Sequence, residues 1–182
     1  MTRDDGYKPF RGFGCEIRAD VIEVYPFART PDSDTHFLQL LRAREPMART
    51  GHPAIGHCEQ DAPALACAPR ELREEIDHDV RHPRAPRAPR ALGMWAMEQT
   101  YPYFIHHINA VVCSPRFAVE VPPDFVPTLN DEHTDARWIA RTEIDARFLW
   151  PGQRMTARDI LREIVDAETE SAKRLRIDTT ST

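Results

Sequence analysis

The chain has 182 residues, of which 41% are hydrophobic and 29% charged, enough for one domain with a sizeable core and too few for a second full domain. A formal net charge of -5 argues against general binding to nucleic acid or anionic membranes. No apolar stretch approaches membrane-spanning length, which excludes a transmembrane helix.

Residues 1–14 read as an N-terminal extension, 15–176 as a single domain and 177–182 as a flexible tail. The opening Met1-Thr2-Arg3-Asp4-Asp5-Gly6 lacks the apolar core of a signal peptide, so a cytoplasmic location is expected. Val21 to Arg29 and His36 to Arg44 are rich in β-branched, aromatic and leucine residues, and Thr30-Pro31-Asp32-Ser33-Asp34 between them is turn chemistry. A β-hairpin is predicted. Residues 45–55 are expected to be irregular and to lead through Ile55-Gly56 and a loop into a helix. Around that loop, His57, Cys58, Cys67 and His78 could be imagined as a zinc set, but their spacing fits no common finger. The cysteines, Cys15 and Cys113 included, form no CxxC pair and are expected to remain thiols in a reducing compartment.

The helix carries the chemistry. In Arg70-Glu71-Leu72-Arg73-Glu74-Glu75, the three glutamates fall within one narrow arc at about 100° per residue, while Leu65, Pro69, Leu72 and Ile76 gather on another. The expectation is a helix that docks by its apolar side and presents acid from the other. Like charges at these spacings repel, and a hard divalent cation such as Mg²⁺ or Mn²⁺ turns that repulsion into attraction. A solvated acidic face is the plainer alternative. Pro69 implies either a helix start close by or a kink.

Further on, Arg81-His82-Pro83-Arg84-Ala85-Pro86-Arg87-Ala88-Pro89-Arg90 repeats every three residues, the period of a polyproline II helix. It reads as a solvated loop, or as a basic edge for a phosphate or an acidic partner. Tyr103 to Cys113 is expected to form one strand with His106 and His107 on opposite faces. His107 and Tyr103 are candidate substrate contacts, and Trp95, Met97 and Tyr101 could add a stacking wall. A proline-punctuated stretch from Pro115 to Pro127 follows. Arg137 to Ala140 is a short last strand, and Thr156 is expected to cap a closing helix of roughly twenty residues with Ile160, Ile164 and Val165 facing inward.

Counting Gly56 as the first position, the Arg-Glu pair falls at fifteen and sixteen and the Glu-Glu pair at nineteen and twenty. This spacing resembles the Nudix box, with Ala62 where the family has its first Glu and Asp77 where it has Gly. For the missing carboxylate, Glu59 or Asp61 would have to substitute, and Asp at position 77 can adopt the left-handed conformation that ends a helix. The resemblance implies an α/β/α sandwich, an α/β (α+β) fold with a mixed β-sheet between helices. It also implies a Mg²⁺-dependent enzyme, with Mn²⁺ as a substitute, that cleaves a phosphoanhydride in a nucleoside or pterin triphosphate or another nucleoside-diphosphate-linked compound. The implied metal ligands are Glu71, Glu74, Glu75 and the carbonyl of Gly56 or Ile55. Glu71 would ligate or act as base, and Arg70 would orient it. Glu132 in Glu132-His133 resembles the loop carboxylate that completes the site in several members, and homodimers are common in the family. The departures leave open a second reading, a Nudix-fold module that binds a phosphorylated ligand without turnover.

Overall fold

The computed structural model describes residues 14–32, 34–45, 47–59, 61–77, 91–166 and 169–178. The arginine-proline repeat, His78, the terminal tail from 179 and residues 1–13 lie outside them.

Two long strands set the frame. Strand β2 (Val21–Arg29) and strand β3 (Thr35–Arg42) form the expected hairpin, closed at its turn by the Thr30 N–H on the Asp34 carbonyl at 2.9 Å. They pair only near that turn, from Phe27–Arg29 to Thr35–Phe37. Beyond it the arms separate, and two short strands fill the split: β4 (Gly51–His52) pairs with β3, and β5 (Ala54–His57) pairs with β2. Residues 45–55 were expected to be irregular. These strands carry no alternating apolar pattern of their own and exist through their pairing with the hairpin arms.

The other edge of β2 pairs in parallel with β9 (Arg116–Glu120), which carries β6 (Gly93–Ala96) antiparallel, while β10 (His133–Ala140) lies antiparallel on β3. The order β10-β3-β2-β9-β6 makes a mixed sheet, as expected. Side chains alternate across it. Ile22, Val24, Leu38, Leu40, Met94, Phe117 and Val119 form one core cluster, and Tyr25, Phe27, Phe37, Trp95, Ala118 and Ile139 form the other. The two faces are covered by different helices. Helix α1 (Ala64–Ile76) packs on the first through Cys67, Ala68, Leu72 and Ile76, the last two wholly buried at roughly 1.5–3 kcal/mol each.

The second face is covered by α2 (Ile144–Arg147), α3 (Pro151–Ile160), a π-helical turn (Leu161–Val165) and α4 (Glu170–Leu175). Here the expected closing helix is corrected: α3 begins at Pro151 with Trp150 as its N-cap, and Thr156 is buried inside it. Proline at the first helical position loses no needed N–H, so it starts the helix ahead of Thr156. Ile160 and Ile164 do face inward, and Val165 packs beside them.

The expected strand from Tyr103 to Cys113 is also divided. It runs as β7 (Tyr103–Ile105), a 3₁₀ turn (His106–Ile108) and β8 (Ala110–Val112), with Asn109 at φ 50° reversing the chain. Asn tolerates that left-handed conformation. Strands β7 and β8 form a small second sheet with β1 (Glu16–Arg18). Among the described residues no helix is long and apolar enough to cross a membrane.

Candidate active site

The split in the hairpin brings β5 under the second half of α1, and Gly56 is what lets the two approach. A Cβ built on Gly56 would stand 1.7 Å from the Glu71 carboxylate carbon. Gly56→Ala therefore has to displace Glu71, which is already held on its other side by Arg70. The expected outcome is overpacking of about 1–3 kcal/mol in a denaturant melt, together with loss of whatever reaction Glu71 supports.

Helix α1 starts at Ala64, after Pro63, so Pro69 is interior and buried, and a start near Pro69 is set aside. Its C-cap Asp77 adopts φ 54°, ψ 37°, and donates its N–H to the Arg73 carbonyl at 3.1 Å, the left-handed ending that Gly supplies in the family pattern. The docking face differs from the expected one. Leu65 is 42% exposed, and the chain entering the helix packs through Ala62 and Ala64 instead. Glu71 and Glu75, expected on an outward face, are 6% and 3% exposed, and Glu74 faces solvent. On the helical wheel Glu75 lies close to Ala68, so the sheet that covers one covers the other.

Arg70 restrains two of the carboxylates. Arg70 places Nη2 2.6 Å from Glu71 Oε1 and Nη1 2.8 Å from Glu74 Oε2, and donates to the His57 carbonyl at 2.6 Å. The Ile55 backbone favours the charged form of Glu75. Glu75 Oε2 is buried with no hydrogen-bond partner, and the nearest cation-forming side chain to Glu75 among the described residues is His133, with Nε2 4.0 Å from Oε1.

Burial pushes the Glu75 carboxyl up to about 9, and Glu71 and Glu132, then Glu74, push it the same way against the Ile55 hydrogen bond. Burial also raises Glu71, with Arg70 opposing and Glu74 and Glu132 adding to the rise. The structure therefore brings Glu132 from its loop within electrostatic reach of both helix carboxylates. That loop is pinned by the Ala43 N–H on the Glu132 carbonyl at 2.8 Å.

Sequence reasoning named Glu132 but passed over its neighbour. His133 is buried, its ring 5.2 Å from that of His52. Burial holds His133 down to about 4, with His52 and Arg42 adding, and burial also lowers His52. The signal available was the adjacency of His133 to Glu132, but pairing it with His52 needs the β3, β4 and β10 register.

These shifts set a pH dependence. A carboxyl raised in the folded state keeps its proton where the unfolded chain has released it, so Glu75 removes stability as pH rises from the ordinary carboxylate range towards 9. A lowered histidine acts oppositely, adding stability between about 4 and the ordinary histidine value near 6.5. The two oppose each other below about pH 6.5. Urea melts in EDTA should therefore show stability falling between about pH 7 and 9. A flat profile there would contradict the buried, crowded state of Glu75.

Other expected site residues lie elsewhere. Tyr103 on β7 sits near Ser114, Glu23 and Arg116, and His107 is exposed in the 3₁₀ turn, so neither is brought to the α1 carboxylates. His106 and His107 meet edge to face, with ring centroids 5.5 Å apart, rather than on opposite faces of a strand. Ala62 packs on the core, Glu59 is exposed near Arg70, and Asp61 is exposed at φ 65°. All four cysteines are free.

Among the described residues no three His, Cys, Asp or Glu side chains converge closely enough to share an ion in this arrangement. The donor set nevertheless fits a hard divalent cation. Glu75 carries a buried oxygen without a partner, and burial, with repulsion from the neighbouring glutamates, raises two of the carboxylates.

Comparison with known proteins gives the same neighbourhood. The profile of the NUDIX domain matches residues 29–160. No curated protein sequence gives a significant match. Among solved structures, the E. coli dihydroneopterin triphosphate pyrophosphohydrolase superposes with a TM-score of 0.63 at 19% identity, over 84% of this chain and 99% of that one. A C. elegans Ap4A hydrolase binary complex gives 0.62 at 14%, over 80% and 96%. The NUDIX domain of Shewanella oneidensis NrtR, complexed with ADP ribose, gives 0.54 at 12%, over 89% and 98%. At these identities the likeness is one of fold.

Proposed function

The chain belongs to the NUDIX domain family, and from that premise we propose that it is a divalent-metal-dependent hydrolase of a phosphoanhydride bond. The substrate class is a nucleoside or pterin triphosphate, or another nucleoside-diphosphate-linked compound. The observation that carries this reading is the crowding of Glu71, Glu74, Glu75 and Glu132, which burial makes unfavourable until a cation arrives.

A bound Mg²⁺ or Mn²⁺ supplies neutralisation of the phosphate oxygens and a lowered pKa for water. Glu74 and Glu75 would hold it, with Glu132 from the loop and the carbonyl of Gly56 or Ile55 as further donors. Glu71, raised by burial from its ordinary value, is suited to take a proton from the attacking water. Arg70, 2.6 Å away, fixes its orientation by a charge-assisted hydrogen bond. Gly56 keeps the space that the Glu71 carboxylate occupies. The pyrophosphohydrolase and Ap4A hydrolase among the fold neighbours support phosphoanhydrides as the substrate class.

A second reading, a module that binds such a ligand without turnover, is favoured by Ala62 at the first box carboxylate and by the hold of Arg70 on Glu71 and Glu74. The NrtR domain with ADP ribose is a fold precedent for ligand binding. Release of phosphate or pyrophosphate from a panel of nucleotides, dinucleoside polyphosphates, nucleotide sugars and pterin triphosphates, with Mg²⁺ or Mn²⁺, tests the choice. Turnover on any member supports the hydrolase, and saturable binding without product on all of them supports the module.

A further inference from the structure

The hydrogen bonds around the buried histidines fix which ring nitrogens carry lone pairs. Asn130 Oδ1 accepts the Glu132 N–H at 3.1 Å, which identifies that atom as the amide oxygen. The His133 Nδ1, 3.0 Å from the same oxygen, must then be the donor, and its Nε2 is an acceptor. The same logic applies to His52. Its Nδ1 lies 2.6 Å from the Pro53 carbonyl and donates to it, leaving Nε2 as a bare lone pair, buried and without a partner.

The His133 lone pair adjoins another unpaired buried atom. The His133 side chain is 2% exposed, and its Nε2 lies 4.0 Å from Oε1 of Glu75, whose side chain is 4% exposed and whose Oε2 has no partner. At 4.0 Å the two atoms are too far apart to hydrogen-bond, even through the proton that Glu75 keeps, so the place between them suits an electron-pair acceptor that displaces that proton. A separation of 4.0 Å is within twice a first-row metal-to-ligand bond of about 2.1 Å, so one ion can reach both atoms.

We propose that His133 is a nitrogen ligand to the cation held by Glu75, so that the site takes Mn²⁺, Co²⁺ or Zn²⁺ in preference to Mg²⁺. This rests on the metal-dependent reading above and extends it to the identity of the ion. Imidazole favours borderline transition ions, whereas Mg²⁺ demands oxygen ligands. The Asn130 hydrogen bond has the role usual for a ligating histidine, fixing tautomer and ring orientation from behind.

The test is pulsed electron paramagnetic resonance of Mn²⁺ bound to the full chain. The parent should show ¹⁴N coupling of a directly bound nitrogen, converted to the ¹⁵N pattern when the protein is made with ¹⁵N-histidine, a measurement that needs no substitution. His133→Gln should remove that coupling and weaken Mn²⁺ binding by at least the roughly 10- to 100-fold that outer-shell losses cost, while Mg²⁺ binding changes less. Mn²⁺ bound with no histidine nitrogen coupling overturns the proposal and leaves the carboxylate site standing. Failure of the parent to bind either ion removes both the proposal and the metal-dependent reading beneath it.

Discussion

Glu75→Gln is expected to abolish metal-dependent hydrolysis while leaving the fold at least as stable as the parent. The side chain is nearly isosteric, so the core contacts of Leu72 and Ile76 persist. What disappears is the carboxylate that provides an unpaired buried oxygen and feels the charge of Glu71, Glu74 and Glu132. Loss of the proposed direct ligand should lower kcat by more than about 100-fold, beyond the range seen for groups that only support a ligand. Stability should move the other way above pH 7, because glutamine has no proton to release on unfolding and no charge to bury. The fall between about pH 7 and 9 expected of the parent should be shallower in the variant. A variant that loses activity and unfolds together would mean that Glu75 supports the fold and not the chemistry.

The second large effect lies on the opposite face of the sheet. Arg116 on β9 is 2% exposed and pairs with Glu23 on β2 at 3.2 Å. It also donates to the Gly152 carbonyl at 2.8 Å and to Thr156 Oγ1 at 2.5 Å on α3. Tyr25 donates its hydroxyl to Glu23, and the Tyr101 ring lies 5.3 Å from the guanidinium carbon. Arg116→Met strands Glu23 as a buried charge with no partner of opposite sign and leaves the α3 acceptors unbonded. Breaking a buried pair from one side costs about 3–5 kcal/mol. At about 2–4 °C per kcal/mol for a chain of this size, Tm should drop by roughly 6–20 °C. The double variant Glu23→Gln with Arg116→Met should recover part of that loss, since an uncharged pair no longer buries an isolated carboxylate. Hydrolysis per folded molecule should be preserved, because neither residue touches the α1 carboxylates. A single variant as stable as the parent would show that the pair does not lock α3 to the sheet.

How legible this was in the sequence depended on distance along the chain. The hairpin, helix α1 and the position of the glutamates are local facts, carried by apolar runs, turn residues and spacing. Strands β6 and β9 escaped because β9 lies within the proline-punctuated stretch and β6 opens on Gly93. Both are held mainly by pairing across the sheet. The burial of Glu71 was hidden for a similar reason: it depends on the absent side chain of Gly56, fifteen positions upstream of the glutamate it faces. The His52 and His133 pair was least visible, since only the β10 register beside Arg42 and the β4 register beside Leu40 bring the two rings together. The resemblance to the Nudix box singled out helix α1. The burial, the orphaned oxygen and the histidines needed the fold.

Hydrolysis of the substrate panel in ¹⁸O-labelled water, with Mg²⁺ or Mn²⁺ against EDTA, tests the central claim most directly. Cation-dependent appearance of one ¹⁸O in a phosphate product, absent in EDTA and in Glu75→Gln, is the predicted result. Label that enters equally without cation, or with Glu75 replaced, would contradict it.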